Sequence, residues 1–158
     1  MKVARRTSLA NQHPRLSLPR SAVQRVIHTL DHAAGKFTGG CPAGELSIVF
    51  LSDVALAKIH ADFLHDPTPT DVITFAGDAS LDVAGEICVS VDRAAAYATA
   101  HRHDFSTELT LYIVHGWLHL AGFDDLQPAK KRRMRAAEAR ALALLRAAAA
   151  LPKFVLRK

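Results

Sequence analysis

Sulfur, aromatic side chains and long apolar runs are all scarce in this chain. Two cysteines, Cys41 and Cys88, are its only thiols, and they lack the close pairing of a CxxC motif. That excludes a disulfide framework and a cysteine-rich structural zinc site, and it fits a reducing compartment. The longest apolar stretch, Ala147 to Leu151, is far too short to cross a bilayer, so no membrane-spanning segment is expected. The N-terminus, MKVARRTSLANQHPRLSLP, is basic and has no continuous apolar core of the kind a secretory signal carries. A cytoplasmic location is the expectation. Its arginines and serines leave an organellar transit peptide as the alternative. Acidic groups are also in deficit, with 15 Asp and Glu against 20 Lys and Arg, a formal charge of +5. The excess is uneven: Lys130-Lys131-Arg132-Arg133, Arg135, Arg140, Arg146 and the tail Lys153, Arg157 and Lys158 crowd the end of the chain. Such a run is either a solvated helix face or a grip for a polyanion.

What is present is enough for one compact body: 158 residues, 49% of them hydrophobic. The whole chain, 1–158, is read as a single domain. Residues 6–12 alternate loosely as a first strand. Pro19 and Ser21 open a helix with Val23, Val26, Ile27 and Leu30 at helical spacing. A glycine-rich loop from Gly35 to Gly44 precedes the strand Leu46 to Leu51, and Ser52 or Asp53 caps a helix reaching Leu64. After a turn-rich loop, His65 to Thr70, come a strand Val72–Phe75, a connection Gly77–Leu81 and a strand Val83–Val91, the two strands pairing antiparallel. Helices are expected at Asp92–Ala100, about Phe105–Ala121 and Pro128–Ala150. The fold class is α/β (α+β), with one mixed sheet of about four strands flanked by helices.

The chemistry concentrates in His115-Gly-Trp-Leu-His119-Leu-Ala-Gly122-Phe-Asp124-Asp125. Histidines at i and i+4 share one face of a helix, a glycine stops it, and a carboxylate follows on the turn. Two nitrogen ligands and one oxygen ligand leave a fourth position open, as in catalytic rather than structural zinc sites. Either Asp124 or Asp125 could supply the oxygen. The zinc peptidase motif places a Glu directly after its first His as general base, and here that residue is Gly116, which argues against a peptidase. A metal without an adjacent carboxylate base suits hydrolysis of a phosphodiester by an activated water.

These residues resemble the YbeY family of bacterial endoribonucleases, or rRNA maturation factors. The matching positions are His115, Gly116, Leu118, His119, Leu120, Gly122, Phe123 and Asp124; Pro69-Thr-Asp-Val-Ile-Thr-Phe75, Gly85-Glu-Ile87 and Glu108 also fit. The resemblance covers about residues 45 to 145. It implies a metal site at the end of one helix, with one zinc per chain held by three residues. It also implies cleavage of single-stranded RNA, such as precursor ribosomal RNA, in ribosomal RNA maturation and ribosome quality control. The implied partners are the small ribosomal subunit or its assembly factors. Carried over position by position, the ligands are His115, His119 and Asp125, with His115 and His119 as the catalytic pair. Asp125 stands where the family has a third histidine, a change that makes the site more hospitable to manganese or iron. Asp124 becomes a turn-capping or supporting group and the fallback ligand.

A second departure lies upstream. The family has a Tyr-Arg pair where this chain has Phe63 and Leu64, and leucine cannot stabilise charge on a phosphoryl group. His60, His65, Arg93 and Arg102 are the candidate replacements. That gap keeps alive an alternative, an RNA- or ribosome-binding assembly factor whose metal is structural. A third reading is hydrolysis of another phosphoester or amide. Asp71 and Thr70 either line the cleft or cap a turn. Trp117 is read as core or cleft wall. His101 and His103 are read as solvent-facing, with a second metal site formed by them and Asp104 as the lesser option.

Overall fold

A computed structural model describes residues 5–66 and 70–158. Met1 to Ala4, and Pro67 to Pro69 with both prolines of the turn-rich loop, lie outside the described residues.

Strand β1 (Thr7–Asn11), a short β2 (Leu16–Ser17) and helix α1 (Arg20–His32) come first. Strand β3 (Glu45–Leu51), helix α2 (Asp53–Leu64), strand β4 (Val72–Asp78), strand β5 (Val83–Ser90) and helix α3 (Val91–His101) follow. Helices α4 (Phe105–Leu120) and α5 (Pro128–Ala147) and the short β6 (Val155–Leu156) complete the chain. The main sheet runs β1-β3-β5-β4. Its first three strands are mutually parallel, and β4 lies antiparallel to β5 at one edge. Among the described residues this is the mixed four-stranded sheet that the sequence pattern indicates. Two elements differ from expectation. The strand expected to stop at Phe75 continues to Asp78, because the ladder to β5 persists through Ala76↔Gly85 and Asp78↔Val83. The pair β2–β6, Leu16↔Leu156 and Ser17↔Val155, is too short to leave a periodic signature.

Local chemistry fixes the helix starts. Ser52, Ser90 and Asp104 each accept the N–H three residues on, from Ala55, Arg93 and Thr107. One sheet face carries the main core, in which α1, α4 and α5 pack with Ile48, Phe50, Ile87 and Val89. The other face is only partly covered by α2, through Leu51, Leu56, Ile73 and Cys88.

Helix α4 is buried along most of its length, and two glycines let it approach the sheet. A Cβ on Gly116 would lie 2.5 Å from Ile87 Cγ2, and one on Gly85 would lie 2.7 Å from Leu120 Cδ2. The motif glycine after His115 is therefore a packing position facing β5. Trp117 is fully buried, meets Phe37 edge-on at 5.6 Å and donates Nε1–H to Asp31 at 3.1 Å, so it is core.

Candidate metal centre

Helix α4 ends in a Schellman turn. Phe123 N–H bonds Leu118 C=O, Gly122 N–H bonds His119 C=O, and Gly122 takes φ +105°, which a side chain would resist. The chain then doubles back. Asp124 accepts the N–H of Leu126 at 3.0 Å and stands 3.9 Å from Lys130 Nζ, so it closes the turn. Asp125 faces the helix instead. His115 Nε2 and His119 Nε2 are 3.0 Å apart, and the Asp125 carboxylate oxygens are 3.5 Å and 3.7 Å from them. The structure thus brings His115, His119 and Asp125 together and turns Asp124 to local backbone work.

The donor set fits a metal. His115 Nδ1 faces the Glu138 carboxylate at 2.6 Å, and the ring of His119 is hydrogen-bonded to the Phe123 backbone. Each ring is thus held from its outer side, and the two Nε2 atoms face one another and a carboxylate. That arrangement fits a cation between them. A tetrahedral zinc with bonds of about 2.0–2.1 Å separates its ligand atoms by about 3.4 Å, and the three distances bracket that value. Burial, and then the charge of neighbouring His115, push the His119 ring below its ordinary value, which favours the neutral, ligating form.

Glu138 on α5 is the residue that sequence reasoning missed. It is 4% exposed and pairs with both His115 and Arg135, whose Nη1 reaches its two oxygens at 2.8 Å and 2.9 Å. Burial alone would raise this carboxyl, but the hydrogen bonds from His115 and Arg135 and their charges outweigh it and hold the group below its ordinary value. A signal was available. Glu138 lies on the buried stripe Met134, Ala137, Ala141 and Leu145 of an otherwise basic helix, and buried carboxylates are rare unless paired.

A polar seam continues down α4. Glu108, Tyr112, His115 and His119 fall at helical spacing on one face. Glu108 is buried and raised by that burial, and it is hydrogen-bonded to Tyr112. Asp71 accepts the N–H of Val72 at 2.9 Å and also acts electrostatically on Glu108, Tyr112 and Arg135, so it both caps its turn and faces the seam.

The other expected residues lie off the His115, His119 and Asp125 cluster, although His103 Nδ1 stands 3.9 Å from Glu108 at the start of the seam. Arg93 pairs with Asp53 at 3.4 Å, His65 and Arg102 end helices in left-handed conformation, and His60 stands 4.0 Å from Asp66. None of these bonds reaches the centre, whereas Arg135 does. His101 stacks on Tyr97 at 3.9 Å, and Asp104 caps α4. Among the described residues, the His115, His119 and Asp125 group is the one cluster with metal-ligand spacing. A cavity of about 520 Å³ opens on the far sheet face beneath α2 and includes none of these three residues. A second, of about 280 Å³, is lined by Val72, Thr74, Ala76, His119 and Leu120, directly beside the centre.

A Geobacter sulfurreducens protein described as endoribonuclease YbeY is 33% identical over 153 residues, covering 92% of this chain and 96% of its own. One from Protochlamydia amoebophila with the same description is 41% identical over 100 residues, 61% of this chain and 67% of that one. A Thermotoga maritima protein solved in solution shares the fold at a TM-score of 0.59 and 20% identity, over 93% of this chain and 96% of that one. The sequence profile described as Endoribonuclease YbeY matches residues 8–146, a span that contains α4, the turn to Asp125 and Glu138, and so the chain belongs to the endoribonuclease YbeY family.

Proposed function

We propose that this protein is a metal-dependent endoribonuclease that cuts single-stranded RNA during ribosomal RNA maturation and ribosome quality control, in the cytoplasm. The observation that carries this reading is the three-ligand cluster of His115, His119 and Asp125, held by Glu138 in a member of this family. Zinc is the metal the donor set suits, one per chain. Bound there, it would supply an acidic water as nucleophile and a positive charge for the phosphoryl oxygens.

The chain's own residues do the rest. Glu138 keeps the His115 Nδ1 proton and so leaves Nε2 as a lone pair. Asp125 brings a negative charge to the cluster. Arg135 spends Nη1 on Glu138, and its side chain is 55% exposed, so its other N–H groups are placed to take a phosphate oxygen where Leu64 cannot. The exposed Lys130, Lys131, Arg132 and Arg133 begin α5 beside the Asp124–Asp125 turn and suit an RNA backbone. No helix among the described residues is long and apolar enough to cross a membrane.

The test is cleavage of labelled single- and double-stranded RNA by chelated protein to which zinc or manganese is restored. Cutting should need the metal, prefer the single strand and vanish in His115→Ala. Undiminished cutting by His115→Ala would overturn the reading. A second reading, a ribosome-binding assembly factor with a structural metal, is favoured by Leu64. It predicts that RNA binding survives in a protein that does not cut, and that chelation lowers the melting temperature.

A further inference from the structure

Strand β4 is the outer strand of the sheet on the side of the metal centre, and among the described residues no strand pairs with its free edge. Ser90 N–H donates to Asp71 C=O at 2.9 Å, which makes Asp71 and Ser90 a hydrogen-bonded pair. Alternation along the antiparallel register then makes Ile73–Cys88 and Phe75–Glu86 the next such pairs. Val72, Thr74 and Ala76 therefore turn their N–H and C=O groups away from β5. These are the residues that line the cavity of about 280 Å³ shared with His119 and Leu120. The Val72 N–H is already taken by Asp71 Oδ1. Among the described residues nothing bonds the main chain of Thr74 or Ala76 on that edge, and the buried Thr74 Oγ1 has no partner either.

Resting on the endoribonuclease reading, we propose that this edge is a nucleobase subsite. The N–H and C=O of Thr74 would pair with the edge of an unstacked base belonging to a nucleotide beside the scissile phosphate. In an extended residue the two groups lie side by side, the pattern of a neighbouring donor and acceptor on a base. With the Val72 N–H occupied and the ladder ending at Asp78, the open run is short, which favours a single base over an added protein strand. The basic start of α5 by the same centre draws a polyanion.

The test uses the full chain in EDTA, so that nothing is cut, with fluorescent five-nucleotide homopolymers of A, C, G and U. Anisotropy should show the tightest-binding homopolymer bound at least about tenfold tighter than an abasic five-nucleotide strand, the scale of one well-made hydrogen-bonded pair. That homopolymer should slow amide hydrogen exchange at Thr74 at least tenfold. Thr74→Pro deletes an outward N–H without breaking the ladder; it should reduce the preference to within about twofold, while Thr74→Val should keep it. Exchange in the unaltered protein decides the matter even if Thr74→Pro does not fold. Oligomers that bind and are cut on metal addition while Thr74 exchanges as before overturn the subsite alone. Failure of every oligomer to bind or be cut overturns the endoribonuclease reading with it. An extended Val-Thr hexapeptide that protects Thr74 where no oligomer does would assign the edge to a protein strand and overturn the proposal.

Discussion

Replacing Glu138 should weaken metal binding without unfolding the protein, and the contacts set the size of the effect. The carboxylate meets His115 Nδ1 at 2.6 Å and Arg135 Nη1 at 2.8 Å and 2.9 Å. In Glu138→Gln the amide oxygen can still accept from His115, but the charge that makes the ring a stronger donor is gone. Losses of outer partners of metal-binding histidines run about 10- to 100-fold in affinity. About tenfold is expected for Glu138→Gln, roughly 1.4 kcal/mol. Glu138→Ala also frees the ring to turn, so its loss should approach a hundredfold, roughly 2.7 kcal/mol. The cost to folding is bounded differently. Arg135 is 55% exposed and can return to water, which leaves the His115 Nδ1 as the group without a partner, about 1–3 kcal/mol. Zinc affinity is read by competition with a chromophoric chelator at neutral pH, and folding by thermal melting of the metal-free protein. Glu138→Ala binding zinc within twofold of the unaltered protein would refute the reasoning.

Other positions give independent checks. Gly116→Ala should lower the melting temperature by about 2–8 °C, because the new methyl enters fully buried Ile87 at 2.5 Å, and at so close an approach overpacking of about 2–3 kcal/mol exceeds the gain of about 1 kcal/mol in helix propensity; an unchanged or higher value would contradict the close approach. Asp92 accepts from Asp53 N–H and from buried His13, each at 2.8 Å; burial opposes its charge, but these bonds and the charges of His13 and Arg15 hold its carboxyl below the ordinary 3.8. Its stabilising contribution is therefore full above that pH and is lost as acid protonates the folded form, so Asp92→Asn should melt lower than the unaltered protein at pH 7 and converge with it below about pH 4; a gap that persists in acid would count against the assignment. Burial pushes the Cys41 thiol up to about 11, and burial followed by the charge of Glu86 pushes Cys88 up to about 12. Neither should react with a disulfide reagent at pH 8 until the protein is denatured, and rapid modification of the native protein would contradict that.

Elements whose signal is local were legible in the sequence. The helical spacing of Val23, Val26, Ile27 and Leu30 matches the buried face of α1, and the Ser52 cap lies where serine before an apolar-periodic run places it. The histidine pair was legible because four-residue spacing on one helix needs no tertiary information. Strand order was not, because parallel pairs such as Leu9↔Ile48 and Ile48↔Ile87 join segments that periodicity treats separately. Glu138 escaped for the same reason. Its role depends on α5 crossing α4 near His115, and in sequence it sits amid arginines and alanines that suggest only solvent or RNA. Arg135 reads in the sequence as part of a basic run, and the same crossing turns its Nη1 from solvent to Glu138. The position after His115 was read for the carboxylate it lacks. The structure adds the physical reason for glycine there, since any side chain would collide with Ile87.

The two departures from the family pattern are linked by charge. Three neutral imidazoles would leave a divalent cation its full charge, whereas Asp125 cancels one unit of it. Glu138 would cancel another, but Arg135 sits on both of its oxygens and neutralises it. With a divalent metal bound, the proposed centre would therefore carry about one positive charge less than a three-histidine site with the same Glu–Arg pair. That should make a bound water a weaker acid. Leu64 stands where the resemblance implies an arginine, so under the proposed function phosphate attraction would come from α5: from the remaining N–H groups of Arg135 and from Lys130 to Arg133. The basic run that looks like an ordinary solvated helix face would then supply the charge that Leu64 does not.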